Sequence, residues 1–248
     1  MALRDELIRQ GRMLFRWRTY LPLLFVPVFL VGLGSAERLE RAAGDAVDDV
    51  YDWACVAISL VGLGWRAFVS GTVPHGTSGR NTRRQKAAVL NTSGAYSVVR
   101  HPLYLGNFLV FLGVLMSPGV PWLVLVGCLS YMAYYERIML VEEEYLGEVF
   151  GTAYRVWSDA TPAFLPRWSN WRPPELPFCA RAALKKEYAT LLGVAVTFAV
   201  LDHVEDWLAG VPVTLERDTV VPALIVTAFC LLVRLLHKHT RALHVPAR

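Results

Sequence analysis

Two short stretches concentrate the residues that could do chemistry. The first, "SVVRHPLYLGN" from Ser97 to Asn107, puts Arg100, His101 and Tyr104 at the mouth of the apolar run "LVFLGVLM". The second, "YYERIMLVEEEYLGEVF", carries Arg137 and three successive acids, Glu142, Glu143 and Glu144, directly after another apolar run. A guanidinium holds anions, an imidazole holds or relays protons, and a carboxylate serves as base or acceptor. The same residue types also occur as ordinary flanks of membrane spans, where cations and tyrosines face headgroups. That reading covers Arg100 and Tyr104 well and the whole Arg-His-Pro triplet less well.

Two further clusters accompany them. In "HGTSGRNTRRQ", His75 to Gln85, Gly76 and Gly79 free a backbone surrounded by Arg80, Asn81, Arg83 and Arg84. Such a loop can wrap an anion, although it lacks the phosphate-loop pattern and is equally readable as a solvated basic loop. In "FGTAYRVWSDATPAFLP", Tyr154, Trp157 and Pro166 have the spacing of packing residues and could close a lid over a site. Gly94 allows a tight turn before Tyr96, and Pro102 suits the first position of a helix, so that His101 stands at a positive helix end. On a helix, Arg137 and Glu144, seven residues apart, share a face from which Glu142 and Glu143 point away.

The elements that must position these groups are membrane helices. The chain has 248 residues, 54% of them apolar, with eight Trp, which is too apolar for an ordinary soluble domain. The fold class expected is all-α, a polytopic transmembrane bundle of about six spans, or four or five if some are re-entrant, near Tyr20–Ala36, Trp53–Val73, Tyr104–Met116, Val120–Tyr135, Tyr188–Leu201 and Thr219–Leu236. "SPGV" makes the third and fourth a tight hairpin. The N-terminal stretch, the 75–100 loop and the C-terminal tail are basic, whereas "ERLERAAGDAVDD" and "DHVEDW" are acidic, so both termini are expected in the cytoplasm, with the first span a retained anchor. A single domain follows: a core over 74–166, a Trp- and Pro-rich interfacial segment over 167–186, and two further spans over 187–248. The net charge of +4 reads as loop topology and attraction to anionic lipid. No basic reading helix points to nucleic acid, and four isolated cysteines point to neither a disulfide framework nor a metal cluster.

"GAYSVVRHPLYLGN" followed by "EEEYLGEVFGTAYRVW" and a later proline resembles the paired motif of the isoprenylcysteine carboxyl methyltransferase and phospholipid methyltransferase superfamily, over Asn91 to Pro166. The resemblance implies a polytopic enzyme that uses S-adenosyl-L-methionine without a Rossmann domain. It implies cofactor contacts at Tyr96, His101, Pro102, Leu103, Tyr104 and Glu142, and in the preceding loop near Asn81 and from Ala88 through Leu90 to Asn91. It also aligns Arg137, offset by about one position, with an acceptor-binding arginine. Arg137, Glu142 and Arg100 are the catalytic candidates, and Arg137, Arg80 and Asn81 the acceptor-binding ones. The partners implied are a membrane lipid acceptor and the bilayer, with no metal.

A cationic cofactor from the cytosol and a lipid from the bilayer can meet only at the membrane boundary, where "RHPLY" sits. An anionic acceptor needs alignment rather than a base, whereas an amine would give Glu142 or Glu143 that role. The hydroxyls, amides and four cations of the 76–94 loop suit a phosphorylated headgroup, and their resemblance to the branch of the superfamily that methylates lipid A implies a lipid phosphate in a bacterial inner membrane, with the carboxyl or amine of another lipid as the alternative. Membrane sterol and steroid reductases, which bind NADPH, carry a similar "RHPxYxG" element, and a non-catalytic protein could retain the fold. The reductase reading accounts less well for the acidic motif.

Overall fold

The computed structural model describes residues 3–17, 25–34, 45–74, 87–208, 210, 217–240, 242–243 and 245. These form nine helices: α1 Leu3–Trp17, α2 Val26–Leu33, α3 Asp45–Thr72, α4 Ala95–Val98, α5 Pro102–Met116, α6 Pro121–Phe150, α7 Thr152–Ala160, α8 Ala180–Leu208 and α9 Arg217–His239. A 3-10 turn at Trp168–Asn170 interrupts the segment between α7 and α8. The protein is an all-helical membrane bundle, and four segments are long and apolar enough to cross a bilayer: Val50–Thr72, Pro121–Phe150, Ala180–Glu205 and Val220–His239.

The expected third span is the shorter α5, whose 15 residues rise about 22 Å. Where the first span is expected, the helix has only the eight residues of α2, and Tyr20 to Leu24 and Ser35 to Ala36 lie outside the described residues. Four helices of full spanning length therefore stand among the described residues, with α5 as a shorter apolar helix. Both shorter helices lean on α6. The hairpin from α5 to α6 closes on the Gly119 N–H, 2.8 Å from the Met116 carbonyl, with Gly119 at φ 63°. α6 then runs for 30 residues, about 45 Å, against a hydrocarbon layer of about 30 Å. Its surplus of about three turns carries Glu142, Glu143 and Glu144 beyond the apolar stretch.

α3 packs most extensively on α5, because small residues let the two backbones approach. A Cβ on Gly62 would lie 2.6 Å from the Gly106 carbonyl oxygen, and one on Gly113 would collide with Ser59 and Cys55. The Ser59 hydroxyl donates across the seam to the Val110 carbonyl at 2.9 Å. α8 lies against α3 and α9 against α8. α1 and α2 both rest on α6, Gly11 against Arg137 and Val141 and Gly32 against Leu123, so they attach to opposite ends of that helix.

Candidate functional site

The end of α3, the start of α5, the last turns of α6 and the start of α8 gather at one end of the bundle. The Trp65 indole N–H donates to the Pro102 carbonyl at 2.8 Å, and the Cys179 N–H to the Gly71 carbonyl at 2.9 Å. Gly94, at φ 58°, turns the chain into α4, a backbone conformation that side chains disfavour. Its N–H donates to the Arg172 carbonyl at 3.0 Å, and the Ser97 hydroxyl accepts from the Arg172 N–H at 2.9 Å. The segment after α7 then straps the loop in place. The Arg100 and His101 N–H groups donate to the Pro162 and Ala163 carbonyls, at 2.8 and 3.3 Å, and the Arg167 N–H donates to the Val98 carbonyl at 2.9 Å. The His101 backbone N–H is therefore used by this strap and not held open at the helix end. The Trp-rich stretch is irregular, as its prolines require, and leaves Trp168 and Trp171 exposed.

Inside this frame the two halves of the motif meet. The Tyr104 hydroxyl donates to Glu142 Oε1 at 2.6 Å. His101 Nε2 lies 2.9 Å from Glu143 Oε1, and its Nδ1 lies 3.7 Å from Glu142 Oε2. Arg100 Nε is 3.4 Å from the same Glu143 oxygen. His101 is buried at 6% exposure, whereas the side chains of Glu142 and Glu143 keep 26% and 21%. Adjacent carboxylates on one helix can both face the cluster because His101, immediately before α5, and Tyr104, in its first turn, offer two partners side by side. Burial raises the pKa of the Tyr154 phenol, and the neighbouring Glu143 charge adds to it, so this group stays protonated. Tyr96 is raised in the same way by burial and then by Glu142.

Below the cluster, aromatic rings continue into the bundle. Tyr104 meets Tyr135 at 4.8 Å, Tyr135 stacks on Tyr131 at 4.2 Å, and Tyr131 touches Phe108 and Phe111 at 5.2 and 5.7 Å. The Tyr131 hydroxyl donates to the Tyr104 carbonyl at 2.7 Å, which fixes the rings relative to the start of α5.

The structure thus brings together Tyr96, Arg100, His101, Tyr104 and Glu142, with Pro102 buried at the first position of α5 and Leu103 packed against the Val69, Val73 and Ala95 cluster. Leu90 and Asn91 lie in the irregular approach to Gly94. Arg137 is not in this group. Its Nε donates to Gln10 on α1 at 2.8 Å and its Nη1 to the Ala133 carbonyl. Glu144 shares that face, as seven-residue spacing requires, and pairs with Arg12 at 2.8 Å. Arg80 and Asn81 lie outside the described residues.

A second polar group, which local sequence reasoning does not single out, sits deeper. Arg66 on α3 forks onto Glu187 of α8, Nε to Oε2 at 2.8 Å and Nη2 to Oε1 at 3.1 Å, and its Nη1 donates to Asn107 of α5. The Ser70 and Thr190 hydroxyls donate to the two Glu187 oxygens at 2.9 and 3.1 Å. The one available signal is a cation inside an apolar run, "GLGWRAFV", since ionisable residues within spans are costly and need partners. An apolar cavity of about 550 Å³ between α8 and α9, lined by Val196, Val200, His203, Trp207 and Val220, lies toward the other end of the bundle and is separate from both groups. Among the described residues no three His, Cys, Asp or Glu side chains stand close enough to hold a metal ion.

Comparison with known proteins bears on the same segment. Residues 55–153 match the phospholipid methyltransferase family. The cobalt-zinc-cadmium resistance protein CzcN of Cupriavidus metallidurans is 31% identical over 118 residues, 47% of this chain and 48% of that one. The protein-S-isoprenylcysteine O-methyltransferase of Schizosaccharomyces pombe is 33% identical over 85 residues, 34% of this chain and 36% of that one. The nickel-cobalt-cadmium resistance protein NccN of Alcaligenes xylosoxydans xylosoxydans is 30% identical over 118 residues, 47% and 49%. The chain thus spans half the length or less of the curated relatives it matches, and no solved structure matches it at a significant level. The matched segment contains His101, Tyr104, Glu142 and Glu143, so the part of the chain that is similar to the phospholipid methyltransferase family and to the isoprenylcysteine O-methyltransferase is the part that carries the paired motif.

Proposed function

We propose that the chain is an S-adenosylmethionine-dependent methyltransferase acting on a membrane lipid at the boundary of the bilayer. The favoured acceptor is a lipid phosphate oxygen, with both termini on the cytoplasmic face of a bacterial inner membrane. The observation that carries this reading is the junction of the two motif halves: Tyr104 on Glu142 and His101 on Glu143, above an aromatic column that descends between α5 and α6.

The residues present fit the cofactor. Partly exposed carboxylates beside tyrosine faces suit a cation that also carries sugar hydroxyls. When bound, S-adenosylmethionine supplies a methyl group that is already electrophilic. The chain's own task is then alignment, which can contribute about 7 kcal/mol or more to lowering the barrier. Tyr104 and His101, anchored by Glu142 and Glu143, hold and orient the polar ligand. Pro162 and Ala163 fix the backbone of the Arg100–His101 loop against it. The Tyr131, Phe108 and Phe111 surface excludes water from the side on which a lipid arrives. A phosphate is already ionised, so its oxygen needs no base. Arg100, together with the basic 75–85 loop, would steady the charge.

The test is purified protein with methyl-labelled S-adenosylmethionine and a bacterial lipid extract. Label on a phosphorylated lipid, stable under the mild alkali that cleaves carboxyl esters, is the expected result. Label on a carboxyl or amine would replace the phosphate reading. No label, together with no rise in unfolding temperature on adding S-adenosylhomocysteine, would overturn the methyltransferase reading, because a ligand bound only by the native state raises apparent stability.

A further inference from the structure

We propose that α1 is a headgroup-level helix seated on an anionic lipid surface. α1 is a 15-residue helix lying outside the spanning segments. One of its faces is occupied: Ile8, Gly11 and Phe15, at positions i, i+3 and i+7, are buried, with Gly11 against Arg137 and Val141 of α6. Two contacts fasten it there, Arg12 to Glu144 at 2.8 Å and Arg137 to Gln10 at 2.8 Å. These fall on the turns of α6 that flank Glu142 and Glu143, so α1 rides at the depth of the site, where the span leaves the hydrocarbon.

The rest of α1 has the composition of an interfacial helix. Leu3, Met13 and Trp17 are 73%, 59% and 54% exposed, which solvent alone does not favour for three large apolar side chains on one short helix. Arg4, Arg9 and Arg16 are also exposed, and four arginines stand against Asp5 and Glu6 on this helix. Exposed apolar side chains beside arginines, at the level of the membrane boundary, match a layer of apolar chains topped by anionic headgroups. An acidic protein would be met by the arginines alone and would leave Met13 and Trp17 in water. The geometry therefore favours lipid. The same end of the bundle exposes Trp168 and Trp171, the residue type that settles at this depth.

The experiment uses the full chain in nanodiscs of phosphatidylcholine, with or without added phosphatidylglycerol, after replacing the half-buried Cys128 and Cys179 by serine. An environment-sensitive fluorophore is attached at Met13→Cys in one sample and at Asp5→Cys in another. The expected result is that brominated acyl chains quench the label at position 13 at least twofold more than the label at position 5. That quenching should increase with phosphatidylglycerol and fall back in high salt or in the Arg9→Ala/Arg16→Ala variant, because exposed charges are screened. Equal access of iodide from water to both labels would overturn the proposal. So would quenching at position 13 that ignores lipid charge. The readout involves no methyl transfer, so it stands or falls independently of the enzymatic reading.

Discussion

Around Glu187 four donors converge on two oxygens, and both members of the Arg66–Glu187 pair are about nine-tenths buried. Around Glu142 and Glu143 the hydrogen bonds are as short, yet the carboxylates remain a fifth to a quarter exposed. Asn107, which touches the first group, follows His101, which builds the second, by six residues, about 9 Å along α5. One helix thus carries a closed ionic clamp inside the bundle and an open one at its mouth. A closed clamp ties three helices together and has few sites left for a ligand. An open one holds its side chains in position while leaving surface on which a polar ligand can bind.

The largest expected effect breaks the closed clamp. Glu187→Ala strands the Arg66 charge, and removing one partner of a buried pair costs about 3–5 kcal/mol. Unfolding of the detergent-solubilised protein should show that loss, and a change below about 1 kcal/mol would mean that water or lipid already solvates Arg66. His101→Ala should behave in the opposite way. Methyl transfer and S-adenosylhomocysteine affinity should fall about 100-fold, equivalent to about 2.7 kcal/mol of binding or activation, with a much smaller change in unfolding. If His101→Ala unfolded the protein while Glu187→Ala abolished binding without destabilising it, the two assignments would have to be exchanged.

The seam between the clamps tests whether helix approach or charge sets the site. Gly113→Leu forces a side chain into Ser59 and Cys55, and overpacking of this kind costs about 1–3 kcal/mol. Since Gly113 is twelve residues beyond His101, the expected outcome is lower stability with little change in cofactor affinity. An affinity loss as large as that of His101→Ala would mean that α5 moves as a rigid rod and transmits the strain to its first turn.

The open clamp was largely legible in the sequence, because its signals are local: an Arg-His-Pro triplet at a helix start and consecutive acids on a helix continuing past a span. The hairpin at "SPGV" was legible for the same reason. The closed clamp was not, since Arg66 and Glu187 are 121 residues apart and periodicity carries no information about which helices become neighbours. Arg137 shows the limit from the other side. Its spacing to Glu144 gives their common face, but that face packs on α1, and docking of an N-terminal helix leaves no trace in the pattern of α6. The first span was read from an apolar run alone, and among the described residues that run holds only the eight-residue α2.

The smallest expected effect lies at the rim of the open clamp and depends on pH. Tyr154 is 6% exposed, and burial, reinforced by Glu143, holds its pKa above the ordinary value of about 10. The folded state therefore retains the phenolic proton more firmly than the unfolded chain. Its contribution is fully present below about pH 10 and is lost as pH rises toward the higher folded value. Tyr154→Phe removes that contribution, so the fall in unfolding temperature above about pH 10 should become shallower, with Tyr96 supplying part of the slope that remains. Glu143→Gln should flatten the same slope by less, since it removes the charge but not the burial. An unchanged slope in Glu143→Gln together with a shallower one in Tyr154→Phe would mean that His101 and Arg100 already neutralise Glu143, leaving the open clamp electrostatically as closed as the one beneath it.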